Sequence, residues 1–262
     1  FSGEYDESIK SLGSFLQMYP TTTHAIQANF YLGDCLFRKR QYNEAKKYFD
    51  YVITQPQNSF TELALLGYSR CVYSLEDYNE VIKSYGKLLI STKGENYKLE
   101  ATYRITEAYF NLENYQKAIE MAQEVIELSS EGGEQERLKA LLIRAKSTQQ
   151  TGHDEDALAF YKHLSDNFIK TPEGAEAAFR AIDILHQSGR DEEAENAILA
   201  FSEAQSKQPY WLAQSLIILG DIYVAQNEIE RAKATYNSIL GGYTMGGDGI
   251  IDAVKIRIDA IQ

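Results

Sequence analysis

Residues 25–56 read AIQANFYLGDCLFRKRQYNEAKKYFDYVITQP, and their spacing decides the fold. Ala28, Tyr31, Leu32, Cys35 and Leu36 recur at helical intervals, which makes one face of the first segment apolar. A short polar break follows at Arg40-Gln41. Ala45, Phe49, Val52 and Ile53 then form a second apolar stripe of the same period. The stretch reads as two antiparallel helices that bury these stripes against each other.

Outward from this stretch the pattern repeats. A landmark residue recurs at Tyr5, Tyr42, Tyr78, Tyr115, Asp154, Asp191 and Ile229, in steps of 37, 36, 37, 39, 37 and 38 residues. Three residues later stands a small residue at Ala45, Ala118, Ala157, Ala194 and Ala232, with Ser8 and Val81 as departures. Gly33, Ser69, Thr106, Ala145 and Gly220 fill an equivalent small position on the first helix, and Ile182 is the exception. Small residues let paired helices approach closely. A near-constant period of this length marks stacked units, each burying its apolar face against the next.

The punctuation agrees. Gly3, Gly152, Gly189 and Asn227 stand two residues before the landmark, where a left-handed residue ends a first helix. The prolines, Pro20, Pro56, Pro172 and Pro209, all fall between pairs; proline inside a helix would cost about 3 kcal/mol. The layout is a lone second helix over about residues 4–19 and six pairs over about 25–55, 61–91, 97–129, 135–168, 173–206 and 210–240. A last first-type helix covers about residues 249–262. No stretch sustains a period of two, so no sheet is expected. Residues 129–134 are expected as a mobile polar loop, and residues 241–249 as a longer flexible connector with Asp248 capping the last helix. The connector's glycines do not read as a phosphate loop, since no Gly-Lys-Ser/Thr follows and no strand precedes.

Composition narrows the partners. The 262 residues carry 26 basic and 38 acidic side chains, a net charge of −12, with no basic block. Such a surface repels phosphate backbones and anionic lipid, so neither nucleic acid nor a membrane surface is expected. No apolar run is long enough to span a bilayer. Cys35 and Cys71 hold the same position in adjacent units, about 8–10 Å apart by helix packing, which is too far for a disulfide. They read as small buried apolar residues. The chain opens at Phe1 and reads as a fragment, about six full repeats plus a half repeat at each end, forming one array over 1–262.

The segment Ala28-Asn29-Phe30-Tyr31-Leu32-Gly33-Asp34, then Tyr42-Asn43-Glu44-Ala45, Phe49 and Pro56, resembles the tetratricopeptide repeat family. Leu219-Gly220, Tyr223, Ala232 and Tyr236 carry a second match. The resemblance implies an all-α, right-handed superhelical solenoid of helix pairs with a concave groove. The family's period is about 34 residues, so the units here are longer. Asp154 and Asp191 replace the aromatic landmark and depart from the pattern. Tyr19-Pro20, followed by Ala25, Ala28 and Tyr31-Leu32-Gly33, is similar to the bacterial cell-envelope subgroup of Tol-Pal-associated and outer-membrane assembly repeat proteins. That similarity implies a periplasmic or envelope location, with the cytoplasm as the alternative.

In this family the first helices line the concave face. Transferring the register implies a groove of Gln27, Phe30, Tyr31, Asp34, Phe37 and Arg38, then Leu66, Arg70 and Tyr73, then Glu100, Tyr103, Arg104, Glu107 and Phe110. Lys139, Lys146, Arg180, Asp183, His186, Gln214 and Asp221 follow in the later units. Aromatics and arginines concentrate in the N-terminal half and suit an interface, although the same rings could fill gaps between adjacent first helices. Phe30 and Asp34 occupy the positions where some family members grip a C-terminal carboxylate, and Asp34 would repel one.

Chemistry has little footing. His24, His153, His163 and His186 form no His-x-x-x-His or His-Glu-x-x-His pair, so no metal and no cofactor are expected. No nucleophile sits in a recognisable motif. The acid pairs at Asp154-Glu155 and Asp191-Glu192-Glu193 suit helix starts. The expected function is a non-enzymatic protein- or peptide-binding scaffold. Aromatics would supply apolar contact, and Arg38, Arg70 and Arg104 would pair with the partner's acids or carbonyls. The alternatives are a small-ligand or glycan receptor, against which the single Trp211 and the short loops argue, and a repeat region fused to an enzyme domain. End helices without their usual caps are free to stack on a second copy.

Overall fold

The computed structural model describes residues 2–130, 132–204 and 206–261. Among them the chain is all-α. The first seven helices are α1 (Ser2–Met18), α2 (Ala25–Arg38), α3 (Tyr42–Thr54), α4 (Thr61–Ser74), α5 (Tyr78–Ser91), α6 (Glu95–Asn111) and α7 (Tyr115–Leu128). They are followed by α8 (Glu134–Gln150), α9 (Asp154–Phe168), α10 (Pro172–Gln187), α11 (Asp191–Glu203), α12 (Pro209–Ala225), α13 (Ile229–Gly242) and α14 (Ile250–Ala260). Even numbers are first helices and odd numbers second helices, as the repeat predicts.

The chain divides into two compact units, residues 1–143 and 144–262, and the division falls within α8. In the first unit α1 to α7 pack in chain order, each on the next, and α2 also touches α4. In the second, α9 to α14 do the same, while α12 also touches α10 and α14. Each core cluster joins a pair to the first helix that follows it. Leu32, Leu36, Ala45, Phe49, Val52, Ala64 and Cys71 make one cluster, and Leu65, Leu66, Val72, Val81, Tyr85, Leu88, Ala101, Ile105 and Ala108 the next.

The turn inside each pair is a backbone device. Arg40, Glu76, Glu113, Gly152, Gly189 and Asn227 all take positive φ, between 58° and 79°. Just after each, an amide reaches back five residues: Gln41 to Leu36, Asp77 to Val72, Asn114 to Tyr109, His153 to Thr148, Arg190 to Leu185 and Glu228 to Tyr223, at 2.8–3.2 Å. This is the Schellman closure, which satisfies carbonyls that the helix end would orphan. The sequence shows the left-handed position only where Gly or Asn occupies it. Arg40, Glu76 and Glu113 hold it at a strain of about 1 kcal/mol each, because the closure leaves no other geometry. Gly3, expected in such a turn, lies inside α1 instead.

Paired volumes hold each unit together. Seven residues after the landmark stand Phe49, Tyr85, Ala122, Tyr161, Ile198 and Tyr236, all buried. Nine residues before it stand Gly33, Ser69, Thr106, Ala145, Ile182 and Gly220. Each aromatic answers a Gly, Ser or Ala, and the exceptional Ile182 answers another isoleucine. The reason is contact. A Cβ on Gly33 would meet the Phe49 ring at 3.0 Å, and one on Gly220 would meet the Tyr236 ring at 2.2 Å.

Several expected segments are more tightly built than the sequence suggests. In residues 129–134, Ser129 is buried, a Cβ on Gly133 would lie 2.3 Å from Leu99, and Glu131 lies outside the described residues. Ser129 and Gly133 are therefore packed positions. Gly241 and Gly242 finish α13, which shortens the expected connector, and the buried Tyr243 donates its hydroxyl proton to Asp248. The N-cap of α14 is Gly249, in left-handed geometry; Asp248 still accepts the Ile250 amide at 3.2 Å. Pro172 and Pro209 open α10 and α12, where a missing amide costs nothing. Both thiols are free, but only Cys71 is fully buried and Cys35 is half-exposed. Among the described residues no helix is long and apolar enough to cross a membrane.

Candidate interaction cleft

In the first unit, α2, α4 and α6 present their side chains along one face. A cleft of about 550 Å³ is lined by Phe37 from α2, Arg70 and Tyr73 from α4, and Asn96, Leu99, Glu100, Tyr103 and Arg104 from α6, with Tyr85, Gly133 and Glu136 at its edge. A second cleft of about 340 Å³ holds Phe30, Asp34, Arg38, Leu63, Leu66, Gly67 and Tyr97, and shares Phe37 and Arg70 with the first. The two are lobes of one trough. Gly67 belongs to its floor for a physical reason: the Phe49 ring lies 2.6 Å from where its Cβ would stand.

Ten of the expected groove residues line these lobes: Phe30, Asp34, Phe37, Arg38, Leu66, Arg70, Tyr73, Glu100, Tyr103 and Arg104. Gln27, Tyr31, Glu107 and Phe110 do not. Tyr31 is 45% exposed and packs edge-on against Phe30 and Phe60. Phe110 lies against Tyr115 at 5.8 Å. Glu107 stands behind the wall as an acceptor.

The arginines are already paired, which corrects the expectation that they await a partner's acids. Arg70 donates twice to Glu100, at 2.8 and 2.6 Å, and Tyr85 donates to the same carboxylate at 3.1 Å. Burial disfavours ionised Glu100, yet the Arg70 hydrogen bonds and charge hold its carboxyl below the usual range. Arg104 donates to Glu107 at 2.8 Å and lies 4.2 Å over the Tyr73 ring. Tyr103 donates to Glu107 at 2.7 Å, and burial and that carboxylate raise its phenol far above the ordinary value. Arg38 donates to Asp34 at 2.8 Å. These pairs stiffen the walls. The bidentate Arg70–Glu100 bond joins α4 to α6, so it also fixes the width of the larger lobe.

The second unit shows the same internal pairing. Glu176 accepts from Lys146 and Arg180, both at 2.8 Å. Asp221 accepts from Arg257 at 2.8 Å and from Tyr236 at 2.6 Å. His186 meets Asp191 at 2.7 Å, so the acid that replaces the aromatic landmark has a partner. Gln214 donates to Tyr210 at 3.1 Å. Trp211 stacks on Phe179 at 5.4 Å, which covers one face of the only tryptophan.

Leu63, Gly67, Asn96, Tyr97, Leu99, Gly133 and Glu136 were not foreseen as lining residues. A signal for one of them, Tyr97, was available. Tyr97 and Glu136 stand eighteen residues before a landmark, as do Phe60 and Trp211. The position is aromatic at Phe60, Tyr97 and Trp211 and departs at His24, Glu136 and Glu173.

Tetratricopeptide repeat family models match residues 27–58, 99–131 and 213–241. Those three segments match as tetratricopeptide repeats. These three segments cover most of the pairs α2–α3, α6–α7 and α12–α13, and in the first and third a glycine faces a buried ring. The fold extends across the chain in solved structures of like architecture. The C-terminal part of a TPR repeat-containing protein from Cytophaga hutchinsonii aligns with a TM-score of 0.70 at 12% identity, covering 95% of this chain and 94% of that one. A tetratricopeptide repeat protein from Parabacteroides merdae aligns with a TM-score of 0.55 at 19% identity, covering 98% and 93%. YrrB, described as a TPR protein with an unusual peptide-binding site, aligns with a TM-score of 0.54 at 16% identity, covering 73% and 92%. At these identities the likeness is one of fold. No curated protein matches the chain significantly.

Proposed function

We propose that the chain is a non-enzymatic protein- or peptide-binding scaffold that takes its partner in the trough of α2, α4 and α6. The observation that carries this reading is the trough itself: three successive first helices leave two joined lobes with aromatic walls, and ion pairs within the chain hold those walls. A wall already fixed in place loses little freedom on binding, so the entropy cost falls mainly on the partner. The three guanidiniums there are committed to Asp34, Glu100 and Glu107, which suits a wall better than a proton relay. YrrB, a protein of like fold, is described as having a peptide-binding site, and this supports the reading by analogy.

The test is affinity capture with the intact chain and with a Phe37→Ala/Tyr73→Ala variant. Phe37 is preferred over Phe110 because it lines both lobes. Partners retained by the first and lost by the second are expected, with helical circular dichroism unchanged. Equal retention would overturn the assignment. The cell envelope remains the proposed compartment, on the similarity of residues 19–33 alone; fractionation of the source cells with an antibody tests it. Stacking of copies through α1 and α14 is likewise proposed, and sedimentation over a concentration series tests it.

A further inference from the structure

Eighteen residues before each landmark the array places His24, Phe60, Tyr97, Glu136, Glu173 and Trp211. Twelve before it, Phe30, Tyr103 and Phe179 are equivalent to one another. In two places the ring at the first position closes a step between successive first helices. Phe60 lies 5.1 Å from Phe30, and Trp211 lies 5.4 Å from Phe179. At Glu136 the ring is replaced by a carboxylate, and its counterpart Tyr103 lines the open 550 Å³ lobe instead of stacking.

One acid in that lobe also stands without a direct partner. Arg70 is matched by Glu100 and Arg104 by Glu107. Glu136 has no hydrogen-bond or ion-pair partner among the described residues. Lys139, three residues further along α8, directs its ammonium toward the Tyr103 ring at 5.9 Å and forms no ion pair with Glu136. The lobe therefore offers tyrosine and leucine walls and, in the first turn of α8, one carboxylate without an ion-pair partner, on a chain whose net charge is −12.

We infer that the larger lobe takes a lysine or arginine side chain from an extended partner peptide. This rests on the binding role proposed above and names the partner's chemistry. The methylenes of such a side chain lie against Tyr73, Leu99 and Tyr103, and its cation meets Glu136; long basic side chains combine an apolar stem with a charged head in this way. An acidic peptide would bring a second anion beside Glu136, with the arginines already paired.

The experiment uses an immobilised library of random dodecapeptides with blocked ends, probed with the intact chain, Glu136→Gln, Glu136→Lys and Tyr73→Ala. The expected result is enrichment of peptides with Lys or Arg beside a bulky apolar residue. Glu136→Lys weakens the best of them by about tenfold or more, and Glu136→Gln by less. Circular dichroism confirms that each variant folds. Peptides that bind in a Tyr73-dependent way but are indifferent to charge and to both Glu136 variants would overturn this inference and leave the scaffold reading intact. Enrichment of acidic peptides would overturn it too. A library with no retained peptide would overturn both readings.

Discussion

Gly220→Ala should destabilise the second unit although it raises helix propensity. The added Cβ would lie 2.2, 2.5 and 2.8 Å from three atoms of the Tyr236 ring. Comfortable carbon contacts begin at about 3.5 Å, so the ring must retreat by about 1 Å or more. It has nowhere to go: Tyr236 is 1% exposed, and its hydroxyl is held by Asp221, itself held by Arg257. Overpacking of this kind costs about 1–3 kcal/mol, and three close atoms place it at the upper end. The gain from glycine to alanine in a helix is about 1 kcal/mol, so the expected net loss is about 1–2 kcal/mol. Gly86 in α5 is the control, because nothing lies within 4 Å of its Cβ position. Gly86→Ala should stabilise by about 0.5–1 kcal/mol. Urea unfolding followed by the fluorescence of Trp211, which shares α12 with Gly220, isolates the affected unit. Adding Tyr236→Leu to Gly220→Ala should recover part of the loss, giving a coupling of about 1 kcal/mol. A Gly220→Ala protein as stable as the wild type, or no coupling, would refute the volume argument.

Other outcomes follow from the same structure. Glu76→Gly should stabilise the first unit by about 0.5 kcal/mol, since relief of a left-handed strain of about 1 kcal/mol exceeds the added chain entropy; thermal unfolding checks it. The Glu100 carboxyl is held below its ordinary value of 4.5, so its contribution is complete above that pH and is lost as the pH falls through the folded value. Acid titration of stability should therefore flatten below pH 4.5 in Glu100→Gln relative to wild type. Burial raises the Cys71 thiol to about 12, and Cys35, also raised, is half-exposed. A disulfide reagent at pH 8 should consequently modify Cys35 first and Cys71 only on unfolding. A Cys71 that reacts as fast in the folded chain would contradict its burial.

The helices were legible because each one repeats a local pattern: an apolar stripe, a landmark and a small residue. The turns were half legible. Gly152, Gly189 and Asn227 announce a left-handed residue, whereas Arg40, Glu76 and Glu113 adopt it under hydrogen bonds that any residue type can make. The trough was legible by register, since its lining follows the first helices. The state of its arginines was not. Arg70 and Glu100 are thirty residues apart, and charge in a sequence does not say which acid a guanidinium has found. Glu136 escaped notice because it looks like an ordinary acid at a helix start and gains meaning only beside the open lobe.

The pairing of buried volumes sets rules for recombination. A first helix that carries Gly220 has room for the second helix with Tyr236, and by the same measure for one with Tyr161. A first helix with Ile182 has room for Ile198 but not for a tyrosine at that place. Hybrid arrays spliced at the turns should therefore fold when splices keep these partners matched, and fail when a large residue inherits a large neighbour. Units of this chain are interchangeable parts only in matched pairs, so a natural shuffling event that cut between the two helices would have to carry both sizes across together.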